Sequence, residues 1–230
     1  MPELSIIIPT LNEETALPVT LASLQSLRRE GVEIIVVDGG STDKTVCCTE
    51  GLVEQLVVSS AGRAVQLNKG AQVARGKVLL FLHADTLLAG RAIKKLLKQP
   101  KQPTLCWGRF KVKLDDTAIV FRIIETMMNW RSCLTGIVTG DHAMFVSKHL
   151  FEQVGGYPCI ELMEDIAISK KLKKVSKPIC LKETVTTSCR RWQVNGVVKT
   201  VLLMWSLRWA YFFNAEPKVL AQKYRQIRIK

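Results

Sequence analysis

The chain has 230 residues, 47 % of them apolar, which is enough for one sizeable core and excludes a disordered chain. Its 33 Lys and Arg against 20 Asp and Glu give a net charge of +13, which draws it to polyanions without choosing among nucleotides, nucleic acid and acidic lipid. Seven cysteines, an odd number with no CxxC pair, fit neither a disulfide scaffold nor a zinc site; they point to a reduced, cytoplasmic setting, with Cys47 and Cys48 in a helix or the core.

The amino terminus, MPELSIIIPT, carries an acid where a secretory signal carries cations, so no cleaved signal is expected. LSIII is short, β-branched and stopped by Pro9, as suits a strand buried on both faces. A helix is expected from Asn12-Glu13-Glu14, where a capping Asn meets two acids, to Arg28-Arg29 before Gly31. EIIVV then reads as a strand, TDKTVCCTE as a helix, LVEQLVVS as a strand, AVQLNKGAQVA as a helix and VLLFL as a strand. Strands and helices alternating in this way predict a largely parallel sheet covered on both faces. KQPKQPT (98–104) is a proline-marked break. After it GRFKVKL sets Phe110, Val112 and Leu114 against Arg109, Lys111 and Lys113, the pattern of a half-solvated strand, so the second half of the sheet should be mixed. Residues 117–131 read as a helix, TGDHA as a loop and MFV as a strand.

Ligands of open α/β sheets bind beyond the carboxyl ends of the strands. Those ends carry Pro9, Thr10, Asn12 and Glu13, then Asp38, then Arg63, then His83 and Asp85. In VVDGGSTD, Asp38 can accept hydrogen bonds from a base or ribose while the glycines let a ligand approach. The same letters also describe a tight turn capped by Ser41 or Asp43. The stretch is not the GxGxxG fingerprint of a dinucleotide dehydrogenase. Asp85 reads either as a ligand of a hard divalent cation or as a loop cap, and His83 either as a ligand or as a packed histidine. Glu164 and Asp165 open the helix IAISKKLKK, where acids are favourable in any case, yet a carboxylate there can also serve as a general base. Arg190, Arg191 and Trp192 suit a phosphate clamp or a basic surface turn.

The order of these signals is more specific than any one of them. SIIIPTLNEE, VVDGGSTD, GRAVQLNKGAQVARG, FLHADT, TGDHAMFV, GGYPCIELMEDIAIS and CRRW together resemble the family 2 glycosyltransferases, over roughly the first 195 residues. Within that family the chain looks most like the compact bacterial enzymes associated with arsenosugar biosynthesis. The resemblance implies an α/β fold of GT-A type: a Rossmann-like mixed, mainly parallel sheet flanked by helices. It implies an inverting transfer of a sugar from a nucleoside-diphosphate sugar to an acceptor hydroxyl, assisted by manganese or magnesium. Carried over by residue, Pro9, Thr10, Glu13 and Asp38 would surround base and ribose, Arg63 and His83 would approach the nucleotide, and Asp85 would hold the metal. Asp165 in the ED position would be the catalytic base, beside Glu164. Asp141 would lie in the acceptor-side loop, and Arg191 and Trp192 near the diphosphate or acceptor. His83 stands where the family's DxD motif has its first carboxylate, and Ser188 where QxxRW has its Gln; the latter argues against a processive polysaccharide synthase.

Residues 1–195 thus form the expected catalytic domain, and 196–230 an amphipathic helix with a basic tail. VVKTVLLMWSLRWAYFF holds Lys199 and Arg208 and falls short of the ~20 residues of a spanning helix. Val198, Val201, Leu202, Trp205, Trp209 and Phe212 share one stripe, with Arg208 at its edge. That stripe fits packing on the catalytic domain, or peripheral binding to an acidic membrane surface helped by Lys218, Lys223, Arg225, Arg228 and Lys230. The membrane reading goes with a polyprenyl-phosphate acceptor. A nucleotide-binding module without transfer activity is the other alternative, left open by His83. Nucleic acid is not an expected partner, because the cations are dispersed over helix faces and no RNP-like or zinc motif appears.

Overall fold

A computed structural model describes residues 1–97 and 106–228, without the side chains of Arg191 and of residues 226–228. The break at 98–104 and the tail residue Lys230 lie outside the described residues, as do the side chains of Arg191 and Arg228. The strands are β1 (Leu4–Thr10), β2 (Glu33–Asp38), β3 (Gln55–Val58), β4 (Val78–Phe81), β5 (Thr86–Leu88), β6 (Trp107–Leu114), β7 (Phe145–Ser147) and β8 (Ile179–Thr187). They form one sheet in the order β3-β2-β1-β4-β7-β6-β8-β5. β3, β2, β1 and β4 run parallel, β7 is antiparallel to β4 and β6, and β8 pairs parallel with β6 and antiparallel with β5. This is the mixed, mainly parallel α/β sheet that the alternating elements imply.

The pleat divides the core. Leu4, Ile6 and Ile8 of β1 point to a face covered by α1 (Leu17–Arg29), α3 (Gly90–Leu97) and α4 (Ile119–Thr135), given that alternate residues of a strand face opposite sides. Ile7, Ile35 and Val37 point to the other, covered by α2 (Arg63–Val73), α5 (Lys148–Gln153) and α6 (Glu164–Lys173). Gly70 lets α2 come close, since a Cβ there would collide with Ile7 and Val37. The carboxyl-terminal helices α7 (Arg190–Asn195), α8 (Val197–Phe212) and α9 (Pro217–Arg228) complete the chain; Leu207 and Leu220 pack on Met163 and Ile166.

Several local expectations change. α1 begins at Leu17, with Pro18 in its first turn, because Asn12 is drawn into another role: its Oδ1 accepts from Thr42 N at 2.9 Å and its N–H donates to Ser41 Oγ at 2.9 Å. TDKTVCCTE is not an α-helix. Asp43 Oδ1 accepts from Thr45 N at 2.9 Å, a local bond that competes with helix formation, and only a single 3₁₀ turn, Cys47–Thr49, follows. Cys47 is exposed and Cys48 half-buried, so neither is a core residue. The alternation of β6 holds from Phe110 onward, but Arg109 is buried: its Nη1 donates to Asn129 Oδ1 at 3.1 Å and its Nη2 to Asn129 O at 2.8 Å. α8 does pack on the domain, but through Leu203, Leu207, Ala210 and Tyr211, the side opposite the stripe singled out in the sequence. Val198, Leu202, Trp205, Trp209 and Phe212 of that stripe are exposed, and Val201 is half-buried.

Candidate active site

The ends of β1 and β2 are fixed to each other before any ligand is considered. Asp38 Oδ2 accepts from Gly40 N and Ser41 N, both at 2.9 Å, and Thr10 Oγ1 lies 3.4 Å from its Oδ1. Gln66 reaches over from α2, its Nε2 donating to Thr10 O and Val37 O, both at 2.8 Å. Asn12 holds φ 55°, a left-handed conformation tolerated by asparagine, which lets its side chain close the loop at 41–42.

β4 stops at a turn because the chain must cross from the middle of the sheet to the edge position of β5. Thr86 N donates to His83 O at 3.2 Å, and Thr20 Oγ1 from α1 donates to Ala84 O at 2.6 Å, which anchors the turn. His83 Nδ1 lies 3.6 Å from Asp141 Oδ1, on the 3₁₀ turn Gly140–His142. Burial and then the charge of Asp141 push the Asp85 carboxyl above its usual range, against the opposing pull of Arg190 and Arg63.

α6 brings the acidic pair. Asp165 Oδ1 accepts from Ile166 N at 2.7 Å and its Oδ2 from Gly140 N at 3.3 Å, while Glu164 is buried, with Oε1 3.4 Å from Arg63 Nε. Burial and then Asp165 raise the Glu164 carboxyl from the ordinary 4.5 to about 7, with Arg63 pulling the other way. Gly140 leaves room at the junction for the ends of His83 and Arg63, which a Cβ there would displace. Ala143, two residues after Asp141, and Met163, just before Glu164, hold φ 48° and 71°. Left-handed non-glycine residues of this kind cluster at constrained sites.

The carboxyl-terminal segment closes the rim. Arg190 Nη2 lies 3.6 Å from Glu13 Oε2. Arg131 of α4 and Arg208 of α8 line the same space; burial and then Arg208 push the Arg131 guanidinium down to about 10, and its buried Nη2 has no hydrogen-bond partner among the described residues. These groups surround a cavity of about 550 Å³, within the range of small-molecule sites. Of the residues named from the sequence, Pro9, Thr10, Glu13, Arg63, His83, Asp85, Asp141, Glu164, Asp165 and Trp192 all line it. Asp38 does not; it underpins the loop behind Thr10. Arg190 stands at the cavity wall, and the side chain of Arg191 is outside the described residues. Arg131 and Arg208 were not singled out as site residues, because nothing in a helical stripe marks which flanking cation turns inward.

Residues 5–153 match the family model described as glycosyl transferase family 2. A PGL/p-HBAD biosynthesis glycosyltransferase of Mycobacterium bovis (strain BCG / Pasteur 1173P2) is 39 % identical over 94 residues, 38 % of this chain and 37 % of the relative's length. The match therefore spans well under half of that curated relative. Among solved structures, a mannosyltransferase from Pyrobaculum calidifontis in complex with GDP-Man and Mn2+ superposes with a TM-score of 0.63 at 21 % identity, covering 80 % of this chain and 56 % of that one. S. aureus TarS 1-349 in complex with UDP-GlcNAc gives 0.62 at 19 % identity, covering 82 % and 58 %. These likenesses establish a GT-A-like fold, and the family match, which takes in more than half of the sequence, settles the lineage: the chain belongs to glycosyl transferase family 2.

Proposed function

We propose that the protein transfers a sugar from a nucleoside-diphosphate sugar to an acceptor, with inversion at the anomeric carbon and Asp165 as general base. The observation that carries this is the convergence of Asp85, from the β4–β5 turn, and Asp165, from the start of α6, on one cavity. Nucleotide-sugar complexes of the two structural neighbours support the donor class. Pro9, Thr10 and Glu13, on the strand-end rim that Asp38 braces, would bind the nucleoside. Arg63 and Arg190 would face the diphosphate, whose charge grows as it leaves, so that they stabilise the transition state more than the ground state.

Asp165 is held by two N–H donors, which fix its orientation and leave lone pairs on both oxygens for an acceptor proton. Glu164 positions Arg63 rather than touching the reacting atoms. A divalent cation, manganese or magnesium, fits the pair Asp85 and Asp141, whose mutual repulsion a cation would relieve. Among the described residues no set of three or more acidic, His or Cys side chains makes a closed metal cage, so donor phosphate oxygens and water would complete the coordination. When bound, such an ion would neutralise charge on the departing diphosphate.

A thermal-shift series with nucleoside diphosphates and nucleotide sugars, with and without Mn2+, tests the donor assignment. One nucleotide should raise the melting temperature, and more so with Mn2+, because a ligand bound only by the native fold stabilises it. No shift with any nucleotide would contradict the reading.

A further inference from the structure

Two helices flank the acceptor end of the cavity with apolar faces that the fold leaves uncovered. On α4, Ile119, Ile123, Met127, Trp130 and Leu134 follow one another at spacings of three and four, so they form a single stripe, and all are exposed. On α8, Val198, Leu202, Trp205, Trp209 and Phe212 do the same. Trp130 is 68 % and Trp209 61 % exposed, an arrangement costly in water for side chains of this size. Met127 and Trp205 belong to the stripes and also line the cavity, so the two faces meet at its mouth. Together they make one surface rather than two scattered sets of apolar residues.

The charge around this surface selects its occupant. α8 and α9 carry no acidic residue within their bounds, and the only acid of α4, Glu125, is buried, accepting from Leu114 N. Lys199 of α8 and Lys218, Lys223 and Arg225 of α9 are exposed, with exposed Glu216 just before α9, while Arg131 and Arg208 line the cavity that Met127 and Trp205 also line. Apolar and aromatic residues on helices whose exposed charged side chains are all cationic match an anionic bilayer, whose headgroups attract Lys and Arg and whose interface takes up tryptophan. A second copy of this chain would set like charges against like.

We propose that α4 and α8 form one docking surface for an anionic lipid bilayer, seating the mouth of the cavity on the membrane. Resting on the transfer reading above, this makes the acceptor a membrane lipid, presented to Asp165 between the two helices. No helix among the described residues is long and apolar enough to cross a membrane, so the contact is with the interface.

Flotation of the full chain with vesicles of phosphatidylcholine plus phosphatidylglycerol, and of phosphatidylcholine alone, tests the proposal. The chain should float with the anionic vesicles and not with the neutral ones, and more weakly as salt rises. Trp130→Glu combined with Trp209→Glu should weaken partitioning about 100-fold, since each buried aromatic is worth about a factor of ten. The same variant should keep the wild-type melting temperature and nucleotide-induced shift, which shows that it is folded. Absence of flotation, or equal flotation of variant and wild type, would overturn the proposal. So would concentration-dependent dimerisation in light scattering that the variant abolishes, because the surface would then be a self-interface. Flotation without any nucleotide shift would leave the docking surface standing and break only the transfer reading.

Discussion

The two sides of the cavity satisfy their polar groups in opposite ways. On the β1–β2 side, Asp38 and Asp43 find donors within their own loop and Asn12 accepts from Thr42 N of that same loop, so the rim is built before a ligand arrives. On the α4–α8 side, Arg131 Nη2 is buried without a partner among the described residues, its guanidinium is pressed by Arg208, and apolar stripes are exposed. The first side is a preformed scaffold. The second is where the proposed anionic, partly apolar partner would supply what is missing, since buried polar groups of native proteins are paired with few exceptions. Residues that look equally functional in the sequence therefore divide into those that hold the rim and those that act on what enters it.

Apart from the proposed base itself, the seam between the sides offers the largest expected effect. Gly140→Val would push His83 and Arg63 apart at the point where the turn meets α6. Misplacement of about 1 Å near reacting groups costs on the order of 100-fold in rate, so kcat/KM for transfer should fall by about that factor while far-ultraviolet circular dichroism is unchanged. Next, Asp38→Ala should act on stability first: it strands Gly40 N and Ser41 N and lowers unfolding free energy by about 1–3 kcal/mol in urea titration. A catalytic defect in that variant without loss of stability would break the division drawn above.

Glu164→Gln should have the smallest effect at neutral pH and a distinct one on its pH dependence. In the folded chain Glu164 meets Arg63 of α2 and Asp165 of its own helix, and its charge is felt by Tyr157 and by Tyr211 of α8. Its folded-state carboxyl titrates at about 7 against an ordinary 4.5, so between those values the native state holds more protons than the unfolded one. Stability from this group is present below 4.5 and declines as pH rises toward 7. The Gln variant should lose that part of the slope in a series of melting temperatures against pH.

The parallel half of the fold was legible because its strands are short β-branched runs, and a strand buried on both faces has that one appearance. The rim was legible for the same reason: ligand-facing residues follow strand ends. β5 escaped because TLL is a strand only through its pairing with β8, where Thr86 Oγ1 donates to Thr187 Oγ1 at 2.9 Å. β8, α3, α5 and α9 carry no motif and were likewise not read. Arg109 was misplaced because alternation reports the face a side chain takes, not whether a neighbouring helix offers it Asn129. Asp38 illustrates the limit within the motif itself, where both of its readings predict an acid before two glycines and only the loop geometry separates them. The stripe of α8 is legible in the sequence but its outward direction is not, and its match on α4 escapes, as periodicity finds an apolar face without showing what covers it.

In the proposed mechanism Asp165 takes the acceptor's proton while the opposite rim holds the donor. Asp165→Asn keeps the shape of the side chain and removes the base, so donor binding by calorimetry and the rate of transfer separate the two roles. The account predicts unchanged donor affinity with transfer slowed about 100- to 10,000-fold. Transfer at the wild-type rate, or loss of donor binding in step with activity, would contradict it.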